Sequence, residues 1–307
     1  MRNNEILVSV YCLAYNHENY IRNCLDGFVN QKTNFKFECI VHDDASTDGT
    51  ADIIREYAEK YPEIIKPILQ KENQYSKGIS KIYTYIYPEL KGKYVAICEG
   101  DDYWIDMHKL QKQVDILEAK SEYVACVHQT KCIDCLKGRE GLVSELNKNG
   151  IIDKALILKR DSPIYHTSSL CYRRELLSKE PDFCSICRGV SDYPFGMFLA
   201  LEGKIYFINE VMSVYRQYAD GSWSLGNKKR RIDITYVNEM ITMLDGVDKY
   251  SDYKYHEFLE IPILEFKYKF WKARPRFSII KDEYFKKLSL KRKVKMLGRM
   301  VFEILRR

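Results

Sequence analysis

The sequence predicts an α/β protein, and three observations carry that expectation. Strand-like and helix-like segments alternate strictly through the first 120 residues. Polar residues gather directly after the apolar runs, where ligands of open α/β sheets bind. The chain has 307 residues, 46% of them hydrophobic, which is enough for a sizeable core.

The alternation begins with the apolar run from Leu7 to Leu13, a strand. In the next stretch, His17 to Gln31, Tyr20, Ile21, Cys24, Leu25 and Phe28 recur at helical spacing. Phe37 to Val41 reads as a second strand. Asp48 to Tyr61 reads as a helix with Ala51, Ile54, Tyr57, Ala58 and Tyr61 on one face. Ile64 to Leu69 is a third strand, Ile79 to Leu90 a helix, Tyr94 to Cys98 a fourth strand and Asp106 to Ala119 a helix. This order predicts a mostly parallel sheet flanked by helices. Past residue 120 the pattern weakens: Tyr123 to Thr130 and Thr167 to Tyr172 read as strands, and Leu136 to Lys148 as a loop or lid carrying Gly138 and Gly141. A short helix is expected near Arg174 to Ser178, a longer one from Ser191-Asp192-Tyr193-Pro194 to about Leu201, and a strand from Lys204 to Asn209. A turn-rich segment, Ala219 through Trp223 to Ser224, follows Val214-Tyr215-Arg216, and residues 229–307 read as helical, aromatic and basic. The expected division is a domain over 1–225, in halves 1–120 and 121–225, and a helical region over 226–307.

Charge and cysteine content narrow the functional classes. From Lys286 to Arg307 nine basic residues stand against the single acid Glu303, so the net +6 of the chain resides in this tail and the body is slightly acidic. A nucleic-acid groove is therefore not expected. Ser289 can cap a tail helix with Leu290, Val294, Leu297, Val301 and Ile304 or Leu305 on one face and Lys291, Arg292, Lys295, Arg299 and Arg306 on the other. That pattern suits an anionic membrane surface, or packing on the protein or a partner. No run of about 18 apolar residues exists, and Met1-Arg2-Asn3-Asn4-Glu5 does not open a signal peptide, so the expected location is cytoplasmic. Cys132-x-x-Cys135 and Cys184-x-x-Cys187 have the ligand types of a zinc site but a much wider separation than zinc ribbons. Plain reduced thiols are the first reading and structural zinc the alternative.

The most informative stretch is Glu99-Gly100-Asp101-Asp102-Tyr103, because it puts adjacent carboxylates at the end of a buried strand. Such a pair shares a proton, faces water or binds a hard cation such as Mg²⁺ or Mn²⁺; a solvated turn or helix cap is the alternative. Ala14-Tyr15-Asn16-His17 ends the first strand and His42-Asp43-Asp44-Ala45-Ser46 the second, whereas Asp48 and Asp106 read as helix caps. No Gly-x-Gly-x-x-Gly or phosphate-loop motif accompanies them. A dinucleotide site or an ordinary kinase is thus disfavoured, and phosphate charge neutralised by a metal is favoured.

Over residues 5 to 225 the chain resembles the family 2 glycosyltransferases of the GT-A fold, inverting enzymes of bacterial surface polysaccharide synthesis. The matching segments are Val8-Ser9-Val10 through Tyr15-Asn16, Asp43-Asp44-Ala45-Ser46-Thr47-Asp48-Gly49-Thr50, and Gly92-Lys93-Tyr94 through Glu99-Gly100-Asp101-Asp102-Tyr103-Trp104. Further on, Asp192, Ala200 to Ile205 and Val214-Tyr215-Arg216 also match. The resemblance implies that Tyr15 lines the base pocket, that Asp44 accepts a hydrogen bond from a uracil imide, and that Asp101 holds ribose or metal. It further implies that Asp102 ligates a divalent cation, Mn²⁺ or Mg²⁺, bridging the donor diphosphate. Arg216 adds positive charge there or forms a surface salt bridge, and Asp192 is the base that takes the acceptor proton or, alternatively, a helix cap. His128 and His166 read as structural.

The implied function is metal-dependent transfer of a sugar from a nucleotide donor, UDP-linked by preference, to a hydroxyl of a polyprenyl-diphosphate-linked glycan. The enzyme would then be peripheral on the inner face of the cell membrane. Two rivals belong to other classes. A sugar nucleotidyltransferase should carry a Gly-rich amino-terminal loop with a basic residue, which Ala14-Tyr15-Asn16-His17 lacks; a non-catalytic nucleotide-sugar scaffold would tolerate loss of Asp192.

Overall fold

A computed structural model describes residues 5–80, 82–160, 164–187, 190–222, 224–226 and 234–305; of the sequence features singled out above, Met1 to Asn4, Trp223, Arg306 and Arg307 lie outside them. The chain divides into two compact units. The first comprises Met1–Ile152, Ile164–Lys179 and Glu202–Lys229, and the second Asp153–Pro163, Glu180–Leu201 and Arg230–Arg307. Residues 153–163 and 180–201, placed by the sequence reading in its 121–225 half, thus cluster with the helical region.

The first unit is built on one sheet, ten-stranded among the described residues. Strands β1 (Ile6–Ala14), β2 (Lys36–Asp43), β3 (Ile65–Leu69) and β4 (Tyr94–Ile97) run parallel in the order β3-β2-β1-β4. Their connections are helices α1 (Ile21–Val29) and α2 (Thr50–Lys60) and the segment 70–93. Beyond β4 the sheet turns mixed. After β5 (Tyr103–Trp104) and helix α3 (Lys109–Ala119), β6 (Tyr123–Asp134) is separated from β4 by the three-residue β9 (Cys171–Arg173), antiparallel to both. The long β10 (Lys204–Gln217) runs parallel to β6 and pairs β5 at its other side. Short strands β7 (Arg139–Leu142) and β8 (Gly150–Ile151) attach to β6 and β10.

The core follows from the periodicities. Ile21, Cys24, Leu25 and Phe28 of α1, Ile53, Ile54 and Tyr57 of α2, and Leu110, Val114 and Leu117 of α3 bury against Val8, Val10, Cys39, Val41, Tyr94 and Ala96 of the sheet. Three expectations are corrected. Ile79 to Leu90 is not an α-helix: Pro88 lacks an amide hydrogen and disfavours helical backbone at Tyr87, so the chain makes a π turn over Ile82–Ile86 and a 3-10 turn over Tyr87–Glu89. The segment from Leu136 to Lys148, expected as a loop, contains strand β7, which pairs antiparallel with the end of β6. The segment from Thr167 to Tyr172 is a 3-10 turn, Thr167–Ser169, followed by β9.

The second unit is helical: α4 (Lys154–Leu158), α5 (Asp192–Glu202, its last residue in the first unit), α6 (Ile234–Tyr250), α7 (His256–Ala273), α8 (Glu283–Lys287) and α9 (Leu290–Leu305). Val237, Met240, Met243, Leu244 and Val247 of α6 and Leu259, Ile263 and Phe266 of α7 are buried. Helix α9 lies parallel to α7. Lys287 pairs with Glu260, Arg292 with Glu265, and Arg299 donates to the Lys272 carbonyl oxygen at 2.8 Å, a constant offset of 27 positions. Met296 and Met300 anchor α9 by burial. The stripe foreseen in the sequence points the other way: Leu290 is 77%, Val294 61% and Val301 49% exposed.

Candidate active site

The loops after β1 and β2 are tied to each other before any ligand is considered. Asn16 and Ala45 adopt positive φ (55° and 61°), which turns both chains sharply at the strand ends. The Asn16 amide donates to Ser46 Oγ at 2.9 Å, Asn16 Oδ1 accepts from the Thr47 amide at 2.9 Å, and the His17 amide donates to Thr50 Oγ1 at 2.8 Å. Asp43 accepts from the Ser46 amide and hydroxyl. Asp48 closes the loop onto Thr50 and the Glu18 amide; burial raises its carboxyl pKa, but these hydrogen bonds outweigh it and hold the group below the ordinary carboxylate range.

Asp44, almost fully buried, accepts from the Gln74 amide at 2.7 Å and the Tyr75 amide at 3.1 Å, and so fixes the start of the 73–90 segment. Tyr15, directly after β1, is 39% exposed.

The acidic turn after β4 lies beside these loops, since β4 pairs with β1. The Gly100 amide donates to the Leu13 carbonyl at 2.9 Å, and a Cβ at Gly100 would stand 2.7 Å from His17 Nδ1, so only glycine allows the two strand ends to approach this closely. Asp101 and Asp102 are both buried. Asp102 Oδ1 accepts from the Arg216 amide at 2.8 Å, while the Arg216 guanidinium donates to the Asp101 carbonyl oxygen and to Asn23 Oδ1, each at 2.7 Å, and stacks 4.2 Å from the centre of the Tyr103 ring. Burial raises the Asp102 carboxyl well above the usual range, and the neighbouring Asp101 raises it further. The guanidinium neutralises neither carboxylate directly, so its charge remains available to an anion.

These residues fit a divalent cation. Two adjacent carboxylates that repel one another gain from a shared hard cation, and no group of three or more metal-ligating side chains occurs among the described residues. A cation held by Asp101 and Asp102 therefore needs oxygens from water and from the ligand, which is how Mg²⁺ is commonly bound beside phosphates.

His166, which reads as a structural histidine in the sequence, faces the acidic turn. Its Nδ1 stands 3.6 Å from Asp102 Oδ2, and its ring stacks on Tyr215 with centroids 4.0 Å apart. The Ser168 amide donates to Nδ1 at 3.2 Å, so the ring proton sits on Nε2; burial lowers the pKa to about 3, and the ring is neutral. Only a lone histidine before a polar Thr-Ser-Ser run marked it in the sequence. His128, by contrast, is fully buried in β6, where Nδ1 donates to the Gln129 carbonyl.

Asp101, Asp102 and Arg216 are thus brought together, with Tyr15 and Asp44 at the ends of the adjacent β1 and β2. Asp192 belongs to the other unit, at the first position of α5. The Ser191 carbonyl accepts from the Phe195 amide, so Ser191 occupies the cap position. Asp192 as a residue is exposed, yet desolvation of its carboxyl by the surrounding protein raises its pKa against the pull of backbone amides. All ten cysteines are free; Cys132 is half-buried, Cys135 exposed, and Cys184 and Cys187 buried.

The family model described as glycosyl transferase family 2 matches residues 9–180. The chain is 36% identical to an uncharacterized protein of Mycobacterium tuberculosis over 226 residues, 73% of this chain and 62% of that protein, so it spans less than two thirds of that relative. It is 32% identical over 117 residues to WfaP of Escherichia coli, a UDP-Glc:α-D-GlcNAc-diphosphoundecaprenol β-1,3-glucosyltransferase, covering 38% of this chain and 43% of WfaP. In fold it is similar to residues 1–349 of TarS of S. aureus, crystallised with UDP-GlcNAc, with a TM-score of 0.65 and 20% identity over 96% of this chain and 81% of that one.

Proposed function

Because this chain belongs to glycosyl transferase family 2, we propose that it is a metal-dependent inverting glycosyltransferase. It would transfer a hexose or N-acetylhexosamine from a UDP-linked donor to a hydroxyl of a polyprenyl-diphosphate-linked glycan in O-antigen, capsule or exopolysaccharide synthesis. The observation that carries this reading is the buried Asp101–Asp102 pair at the end of β4 with the Arg216 guanidinium beside it, an arrangement suited to a diphosphate with its counter-ion. The UDP-GlcNAc bound by TarS and the lipid-linked acceptor named for WfaP support the choice of donor and acceptor class.

The residues divide the work by their chemistry. Tyr15, half-exposed after β1, offers its ring to the base, and Asp44, held by the Gln74 and Tyr75 amides at the end of β2, accepts the uracil imide hydrogen. Asp101 and Asp102 would hold Mn²⁺ or Mg²⁺, which when bound neutralises the departing diphosphate. Arg216 adds a fixed positive charge to the same group. Asp192 takes the proton of the attacking hydroxyl, and its raised carboxyl pKa makes it the stronger base. A panel of nucleotide sugars assayed for free nucleotide with and without Mn²⁺ tests the reading. UDP release from one UDP-hexose, dependent on the cation, is the expected result, and release indifferent to the cation would overturn it.

An acceptor anchored in a bilayer brings the enzyme to the anionic inner face of the membrane, and the exposed Leu290, Val294 and Val301 with nearby Lys291 and Lys295 suit that contact. Each basic residue near the headgroups contributes about 1 kcal/mol. Leu290→Glu with Val294→Glu changes two largely exposed positions. It should therefore abolish binding to anionic vesicles while leaving transfer to a short soluble acceptor unchanged, and undiminished vesicle binding would sink the assignment.

A further inference from the structure

Lys109 opens α3 fully buried, yet no carboxylate lies within ion-pair distance of it among the described residues. A buried ammonium without a counter-ion weakens the fold, and burial lowers its pKa from the usual 10.5 to about 8. Its contacts are specific. Nζ donates to Gln113 Oε1 at 2.7 Å and lies 3.9 Å from the centre of the Trp104 ring. Both partners then reach one turn. Gln113 Nε2 donates to the Ser169 carbonyl at 2.7 Å and to that of Cys126 at 2.8 Å, and Trp104 Nε1 donates to the Ser168 carbonyl at 2.9 Å. That turn, Thr167–Ser169, starts from His166, the residue facing Asp102 at 3.6 Å. The Gln113 amide has two orientations, and only the one with its oxygen toward Lys109 aims its nitrogen at the two carbonyls.

We infer that Lys109 is a positioning residue. By orienting Gln113 and Trp104, its buried ammonium holds the 167–169 turn, and with it His166, against the Asp101–Asp102 face of the candidate site. Its consequence for ligand binding rests on the donor reading above; its consequence for the turn does not. The fold gives up stability here, and preorganisation of the site is what it obtains.

Two variants test this by hydrogen exchange, thermal melting and Mn²⁺-dependent UDP binding. Lys109→Met removes the charge at similar length; it should melt at or above the wild-type temperature while exchange at residues 166–170 speeds by about tenfold or more. The Mn²⁺ needed for half-maximal UDP binding should rise by about tenfold as well. Gln113→Glu gives Lys109 a carboxylate partner but removes the amide donor, so it should fold and show the same local exchange. Unchanged exchange at 166–170 in either folded variant overturns the inference. So does a Lys109→Met protein with a lowered melting temperature and faster exchange spread evenly through the sheet, which marks an ordinary core residue. Failure of the wild type itself to bind UDP counts against the donor reading alone, because the exchange measurement needs no ligand.

Discussion

Asp102→Ala should reduce transfer by about 10³-fold or more and remove cation-dependent UDP binding, while the protein stays folded. In the proposed role the carboxylate would act where the leaving diphosphate develops charge, in a buried setting that strengthens the interaction, and this makes the expected loss large. Two effects on stability oppose each other. Removing a carboxyl whose pKa burial holds well above its ordinary range relieves the fold, whereas the Arg216 amide loses its acceptor, at a cost of about 1–3 kcal/mol. That lies within the roughly 5–15 kcal/mol by which domains are stable. Asp102→Asn keeps an oxygen for the Arg216 amide and removes the ionisable group, so it should lose UDP binding while melting at or above the wild-type temperature. Titrating UDP with and without Mn²⁺ beside a thermal melt checks both, and full activity in excess chelator would falsify the metal role.

Asp192→Asn should lower kcat by about 10²–10⁴-fold with the donor KM near normal, since the amide keeps size and polarity but cannot take a proton. The sign of the pH dependence follows from the raised carboxyl pKa. The base form is needed, so activity falls as pH drops through that pKa, and the acid limb lies above the ordinary aspartate value of about 4. In Asp192→Asn the limb should vanish from the residual rate. A variant that turns over normally would leave Asp192 as merely the first residue of α5.

The family and the α/β fold were legible because they rest on long, redundant signals: four apolar runs, three amphipathic helices and acidic turns in the expected places. What escaped the sequence was set by partners distant along the chain. Tyr103 and Trp104 become a strand only because Ser213 and Val214 of β10 lie opposite, and Cys171–Arg173 is too short for any periodicity. Lys109 and Gln113, four apart on α3, carry no sequence sign of burial, since polarity does not tell burial when two polar groups satisfy each other. In the tail the stripe was visible, but Met296 and Met300 decide which face packs, and methionine carries little directional signal.

The insertion of β9 between β4 and β6 also sets a timetable for the newly made chain. The outer edge of β4 finds its neighbour only about 75 residues after Ile97 has been added, which at 5–20 residues per second is roughly 4–15 s of synthesis. A β4 that joined β1 before then would stand with one side unpaired, the kind of edge to which chaperones and other nascent chains adhere. Arg216 emerges later still. A prematurely terminated product can thus carry Asp101 and Asp102 without the backbone amide and guanidinium beside them, and such fragments should aggregate rather than compete for the sugar nucleotide.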